Sequence, residues 1–254
     1  MFDIGANLTS SHFSKDLDVV LNDSLKAGVE KICITSSNLD DVKNAKKITE
    51  KYKNLYYSVG FHPHNAKDFK IEFLKDMSVY LNDPKAICLG EMGLDFNRNF
   101  SSKEEQILCF ETQLSLANSI SKPLFLHQRD AHEEFLSVLD NHKFNQKLIV
   151  HCFTGNLSEL EEYLKRDFYI GITGWVCDLK RGKELRECIN KIPEDKLLIE
   201  TDSPYLSPRK KIRRNEPKFL IDVAEEVATL RNETTESIIN SSYKNSLNFF
   251  NLHR

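Results

Sequence analysis

Pro123-Leu124-Phe125-Leu126-His127-Gln128-Arg129-Asp130 is an apolar run of strand length that ends in an imidazole, and Ala131–Leu139 continues it with a helical pattern. A strand feeding straight into a helix is one β/α unit, and such units in series build a parallel sheet. The alternation extends in both directions. Upstream, strands are expected at Met1–Leu8, Lys31–Thr35, Leu55–Phe61 and Ala86–Glu91. Helices are expected near Lys15–Ala27, Leu39–Lys53, Lys70–Leu81 and Lys103–Ser119. Downstream, strands at Lys147–Phe153, Phe168–Ile172 and Lys196–Glu200 alternate with helices near Leu157–Lys165, Gly182–Ile189 and Pro217–Leu230, and Thr235–Phe250 adds a last helix. The helix Lys103–Ser119 shows the spacing well, with Ile107, Phe110, Leu114 and Ala117 on one face.

Eight strands each followed by a helix, in 254 residues, predict an α/β chain folded as a (β/α)8 TIM barrel with an extra C-terminal helix, a fold that typically takes about 250 residues. No linker, repeat or low-complexity stretch divides the chain, so residues 1–254 are read as one domain. A doubly wound open sheet is the alternative, but no GxGxxG follows the first strand to hold a dinucleotide. Six of the nine glycines (Gly60, Gly90, Gly93, Gly155, Gly171, Gly174) fall within or just after a strand, where backbone or ligand approaches closely.

Lys plus Arg number 35 against 38 Asp plus Glu, a net charge of −3. That balance excludes a cationic coat over the whole surface but not a local basic site. Composition excludes a collagen-like chain and argues against wholesale disorder. The longest stretch without a charge, Asn54–Ala66, is too short and too polar to span a membrane. Met1-Phe2-Asp3 starts no signal segment, and the six cysteines show no CxxC spacing. A cytoplasmic protein with reduced thiols is expected.

Chemistry in such a barrel sits at the C-terminal ends of the strands. There the sequence places His62-Pro63-His64, Glu91 and Asp95, His127-Gln128-Arg129-Asp130, His151-Cys152-Phe153, and Glu200-Thr201-Asp202. Apolar runs lead into His127, into His151 and into the Glu200/Asp202 pair. Imidazoles and carboxylates gathered at one mouth make a mixed N/O site suited to Mg²⁺, Mn²⁺ or Zn²⁺. Singly, each has a plainer reading: a hydrogen-bonded histidine, or a helix cap. Asp130 is read as such a cap, with Glu133 three positions on.

Taken in order, Gly90-Glu91-Met-Gly-Leu-Asp95, Pro123-Leu-Phe-Leu-His127-Gln-Arg129-Asp-Ala-His132-Glu133, His151-Cys-Phe-Thr-Gly155, Leu198-Ile-Glu-Thr-Asp202-Ser-Pro-Tyr205-Leu and Arg213-Arg-Asn-Glu-Pro217 resemble the TatD family of metal-dependent deoxyribonucleases, within the amidohydrolase-like barrels. The resemblance covers nearly the whole chain. It implies divalent metal and phosphodiester hydrolysis in DNA, with RNA a further possibility, commonly as a 3′→5′ exonuclease, here expected on single strands. The family's metal ligands map onto Glu91, His127, His151 and Asp202. Where many members carry His-x-His on the first strand, this chain has Gly5 and Asn7. One metal site, Mg²⁺ by expectation, and a weaker second are therefore predicted.

Within that reading Asp202 is the expected ligand and general base, and Glu91 ligates and orients water. His62, more than His64, is a candidate phosphate or leaving-group contact, against a plain turn-shaping role. Glu200 is expected to support the ligands from behind, or to be buried and paired. Arg129 offers its planar fork to phosphate, or forms a salt bridge with a nearby acid. Arg209-Lys210-Lys211-Ile212-Arg213-Arg214 carries five positive charges a few residues past Asp202, and Arg213 and Arg214 are taken as backbone-phosphate contacts. Tyr205, Phe96 or Trp175 is expected to stack on a base. The chain is expected to be a monomer that acts on nucleic acid and does not engage membrane. A lactonase or cyclic amidase on the same barrel, or a scaffold without catalysis, is the competing reading.

Overall fold

The structure, a computed structural model, describes residues 1–143 and 145–252. Eight strands form one sheet in sequential order: β1 Phe2–Ala6, β2 Lys31–Ile34, β3 Leu55–Val59, β4 Ala86–Asp95, β5 Leu124–Arg129, β6 Leu148–His151, β7 Tyr169–Ile172 and β8 Leu197–Ile199. Pairs β1/β2, β3/β4, β4/β5 and β7/β8 run parallel. The last strand returns to the first: Asp202 N–H donates to Gly5 C=O at 2.8 Å and Asn7 N–H to Ser203 C=O at 2.7 Å. Sequential order with β8 bonded back to β1 is the topology of a (β/α)8 barrel. The helices are α1 Leu17–Lys26, α2 Leu39–Lys51, α3 Phe73–Leu81, α4 Lys103–Leu114, α5 His132–Asp140, α6 Leu157–Lys165, α7 Lys183–Cys188, α8 Leu220–Arg231 and the additional C-terminal α9 Thr235–Phe249.

Local chemistry sets several of these ends. Ser102 and Glu105 form a reciprocal capping box on α4, and the side chains of Asn38, Asn156 and Thr234 cap α2, α6 and α9, each worth about 1 kcal/mol. The cap expected at Asp130 is absent: α5 begins at His132 without a side-chain cap. Asp130 is in a left-handed conformation, φ 53°, and its carboxylate instead accepts from Asn97 Nδ2 at 2.7 Å. The helix expected over Lys103–Ser119 ends at Leu114, and Ala117–Ser119 is a separate short turn. Ser115 Oγ donates to the Thr112 carbonyl there, a side-chain bond that competes with the helical ladder.

The chain divides into two compact units, Thr35–Val150 and Met1–Ile34 with His151–Arg254. In the first, Phe110 stacks on Phe135 with ring centroids 5.5 Å apart, and Tyr57, Leu89, Met92 and Phe125 are fully buried. In the second, Phe2 packs on Phe250 at 5.4 Å and Tyr169 on Phe249 at 5.1 Å. Burying one such side chain is worth about 1.5–3 kcal/mol. None of the six cysteines, all among the described residues, is in a disulfide. No helix among the described residues is long and apolar enough to cross a membrane.

Candidate metal centre

Within Thr35–Val150 the site is built on β4. This strand runs on past its expected end at Glu91 as far as Asp95, with every residue buried. Two glycines allow that. A Cβ on Gly90 (φ 130°) would lie 2.0 Å from the Phe125 carbonyl oxygen, and one on Gly93 (φ 144°) would lie 1.9 Å from that of His127. Only glycine permits this approach. The resulting register sets Gly93 opposite His127 and Asp95 opposite Arg129.

Glu91 Oε1 is 3.1 Å from His62 Nε2 and 3.3 Å from His127 Nδ1. One ligand atom from each of His62, Glu91 and His127 falls within 4.8 Å of the others. His62 precedes the short turn Pro63–Asp68, and its Nδ1 accepts the His64 N–H at 3.1 Å. Behind the cluster lies Asp95, 1% exposed. Its Oδ2 is 2.8 Å from His64 Nε2 and 3.5 Å from His127 Nε2, and its Oδ1 accepts the N–H groups of Asn97 and Arg98, both at 2.9 Å. Gln106 grips the same residue's backbone, accepting from its N–H and donating to its C=O.

Burial pushes the His62 pKa down to about 4, against the opposing pull of Glu91, so this ring is neutral at pH 7. Burial works against the Asp95 carboxylate, but its bonds from His127, His64 and the Arg98 N–H prevail and hold it well below the usual range.

The other unit holds the remaining sequence candidates. His151 closes β6 with its Nδ1 3.4 Å from Glu200 Oε2, and Oε1 of the fully buried Glu200 accepts the Cys152 N–H at 2.6 Å. Glu200 is therefore buried and paired. Asp202 is left-handed at φ 52°, and its Oδ1 accepts Asn7 Nδ2 at 2.9 Å. Asn7 thus turns its amide nitrogen, not its carbonyl oxygen, toward Asp202. Asp3 ties β1 to the turn after β8 by accepting Thr201 N–H at 2.9 Å and Thr201 Oγ1–H at 2.5 Å, and burial pushes its pKa up to about 8.

The structure brings Glu91 and His127 together in one unit with His62; His151 and Asp202 lie in the other. Arg129 ends β5, half-buried. Arg213 is exposed and lines a cleft of about 330 Å³ with Arg181, Arg209 and Lys210. Arg214 instead grips Asp16 with both terminal nitrogens at 3.0 and 2.8 Å and reaches Glu216 at 2.8 Å. Arg209 is held in the same way by Asp222. Trp175 donates its Nε1–H to the Arg181 carbonyl beneath that residue's guanidinium, and Lys103 covers Phe96. Tyr205 is 54% exposed. Phe100, absent from the sequence reading, is 57% exposed and stands edge-on to His64 with centroids 4.8 Å apart. Its signal was an aromatic in a polar, Asn-rich loop.

Barrel topology with a histidine–carboxylate cluster on its strands defines the class, a metal-dependent hydrolase scaffold. The chain belongs to the family described as TatD related DNase, which matches residues 2–251. It is 43% identical to the 3′-5′ ssDNA/RNA exonuclease TatD of Klebsiella pneumoniae, over 93% of this chain and 92% of that one. The protein of the same description from Erwinia tasmaniensis is 42% identical, over 99% and 100%. Among solved structures, the hydrolase TatD family protein of Entamoeba histolytica has a TM-score of 0.90 at 30% identity, covering 98% of this chain and 97% of that one. The TatD homologue YJJV of Escherichia coli has 0.91 at 26%, covering 99% and 98%.

Proposed function

We propose that this chain is a divalent-metal-dependent 3′→5′ exonuclease acting on single-stranded DNA and RNA. The observation that carries the reading is the cluster of Glu91, His127 and His62 on the scaffold of a family whose relatives are named for that activity. The donor chemistry fits a divalent cation: carboxylate oxygen and imidazole nitrogen at a spacing one ion can bridge. We infer Glu91 and His127 as ligands within Thr35–Val150, keep His151 and Asp202 as ligand candidates of the unit that holds them, and take Mg²⁺ as the metal. The family match runs through both units, which supports one functional domain.

When bound, the cation supplies a Lewis acid that lowers the pKa of water and neutralises charge on the phosphoryl oxygens. The chain's own residues do the rest. Asp202, steadied by the Asn7 amide, accepts the proton of the attacking water. Glu91 is read as a ligand that also orients water. Neutral His62 presents an N–H toward Glu91, because the His64 N–H occupies its other nitrogen. Arg129, at the end of β5, is read as a phosphate contact. Arg213, Lys210 and the cleft they line suit the strand's phosphates, and the exposed ring of Phe100 suits a base. Arg214 is spent on Asp16 and Glu216, so its contribution is to shape the loop. A cytoplasmic setting and a monomeric state complete the reading.

The test is incubation of 3′- and 5′-labelled single strands of DNA and RNA with Mg²⁺, with and without EDTA. Stepwise shortening from the 3′ end, abolished by EDTA, is expected. Intact strands alongside hydrolysis of small lactones or cyclic amides would move the assignment to the competing hydrolase.

A further inference from the structure

We propose that Gln113 and Gln106 of α4 are positioning residues for this centre: their carboxamides grip the backbone beside the cluster and set where His62 and His64 stand against Glu91 and Asp95. The inference rests on reading the cluster of His62, Glu91 and His127 as the centre of the nuclease.

The buried face of α4 is Gln106, Cys109, Phe110, Gln113 and Leu114, the i, i+3, i+4, i+7, i+8 stripe of a helix turned to a core. Two of those places hold fully buried amides. Burying an amide is costly unless it is hydrogen-bonded, and each of these is bonded to main chain. Gln113 Oε1 accepts the Phe61 N–H at 2.7 Å and its Nε2 donates to the Phe61 C=O at 3.1 Å. Gln106 holds Asp95 in the same way, at 2.8 and 3.1 Å. A carboxamide that takes both backbone groups of one residue stands in for a neighbouring strand. Gln113 does so where the ladder has stopped: the register of β3 on β4 ends at Val59, and Phe61 lies beyond it. Phe61 is itself buried, so its N–H and C=O must be paired.

Both grips lead to a histidine. Phe61 directly precedes His62, whose Nε2 is 3.1 Å from Glu91 Oε1. Gln106 Nε2 also donates to the Ser101 C=O at 3.0 Å. Ser101 Oγ in turn donates to the His64 C=O at 3.1 Å and accepts the Lys67 N–H at 3.0 Å. On its other side His64 meets Asp95, with Nε2 2.8 Å from Oδ2. Seven residues apart, the two glutamines are spaced about 10.5 Å along one face of the helix, and the Ser102–Glu105 capping box fixes where that helix starts. α4 is thus one rigid spacer between the turn after β3 and the end of β4.

The experiment compares the full chain with Gln113→Met, Gln106→Met and Gln113→Glu. Methionine keeps the length of the side chain and loses its bonds; Gln113→Glu keeps an acceptor for the Phe61 N–H and loses the amide donor. Gln146→Met is the control. Gln146 Nε2 also donates to main chain, to the Ala117 and Ile120 carbonyls at 2.6 and 2.8 Å, but it sits just before β6, at the end of the strand opposite its histidine. Amide hydrogen exchange is read on the metal-free protein, and kcat and KM on a single-stranded DNA oligonucleotide with Mg²⁺. In the wild type the Phe61 and Asp95 amides are expected to exchange as slowly as that of Leu89, which donates to the Pro123 carbonyl. Gln113→Met should quicken exchange at Phe61, and Gln106→Met at Asp95. In each, kcat should fall about 10–100-fold, the scale of a misplacement of about 1 Å, with KM within about twofold. Gln113→Glu should fall between Gln113→Met and wild type. Gln146→Met should lower the melting midpoint as well, yet hold kcat within about twofold. Gln113→Met and Gln106→Met proteins that turn over like wild type overturn the proposal, and so does a loss of kcat no greater than that of Gln146→Met. If the methionine variants do not fold, freely exchanging Phe61 and Asp95 amides in the wild type, or full turnover in Gln113→Glu, overturn it. If the wild type itself leaves single strands intact, the nuclease reading fails instead, and the exchange measurements still decide the grip.

Discussion

Gly93→Ala isolates the close approach on which the centre depends. A Cβ at this position lies 1.9 Å from the His127 carbonyl oxygen, where ordinary contact begins near 3.4 Å, so β4 and β5 must part by about 1.5 Å. Parallel strands sit about 4.8 Å apart, and an opening of that size breaks the ladder bonds around it. Each buried group left unpaired costs about 1–3 kcal/mol. The φ of 144° adds about 1–3 kcal/mol of backbone strain for alanine. Together these reach about 2–6 kcal/mol for a single unpaired group, a large part of the roughly 5–15 kcal/mol that holds a native domain. At about 2–4 °C per kcal/mol for a chain of this size, the midpoint of thermal unfolding should fall by roughly 4–24 °C. The same displacement moves His127 against Glu91 and Asp95, so Mn²⁺ affinity should fall as well. Gly28→Ala is the control: its φ is also positive, at 85°, but the added Cβ meets only Met1 Cε at 3.9 Å, and the cost should stay near 1 kcal/mol. Calorimetric melts and EPR titration of both variants decide the matter. A Gly93→Ala protein that melts and binds Mn²⁺ like wild type would refute the reasoning, since the strands would then tolerate a separation that the register forbids.

Four further outcomes are expected. Asn7→Ala removes the amide hydrogen bond to Asp202 Oδ1, a charge-assisted bond worth about 1.5–3 kcal/mol, so kcat on single strands should drop about 10–100-fold with KM little changed. Arg213→Ala should lower the log–log salt slope of oligonucleotide binding by about one unit and leave the melt untouched; Arg214→Ala should leave the slope alone and lower stability by about 1 kcal/mol, since its pairs are partly solvent-screened. Phe100→Ala should raise KM for oligonucleotides by about tenfold, and less for a strand whose terminal nucleotide is abasic, because a stacked base contributes about 1–3 kcal/mol. Burial, with Glu226 and Asp222 nearby, pushes the Cys177 thiol up to about 12, so at pH 8 only about one in ten thousand is thiolate; mass spectrometry after iodoacetamide treatment of the native protein should find it unmodified.

The barrel was legible because its strands are buried on both faces and read as unbroken apolar runs; Leu124-Phe125-Leu126 and Leu148-Ile149-Val150 each run into a histidine, His127 and His151. The partnerships of those residues were not, and the reason differs from case to case. β4 looked finished at Glu91 because glycine normally weakens a strand, whereas here Gly90 and Gly93 extend it to Asp95. Arg214 looked like a free member of a basic run because the acid that holds it, Asp16, is 198 residues away in sequence. Asp130 matched a capping pattern, but a cap needs extended backbone and this residue is left-handed.

Histidine is where local pattern is least informative and structure adds most. His62, His64 and His127 are chemically the same side chain, yet their ring centroids lie 4.2–6.4 Å apart in one cluster with different hydrogen-bond partners. One backbone N–H, from His64, makes His62 a donor toward Glu91. One carboxylate, Asp95, lies 2.8 Å from the far nitrogen of His64, while His127 Nδ1 lies 3.3 Å from Glu91. The chemistry of each ring therefore follows from what its far nitrogen touches, and that is decided by the turn after β3 and by the glycine-permitted register of β4 on β5. A substitution that keeps every histidine but alters either feature should silence the centre as effectively as removing a ligand.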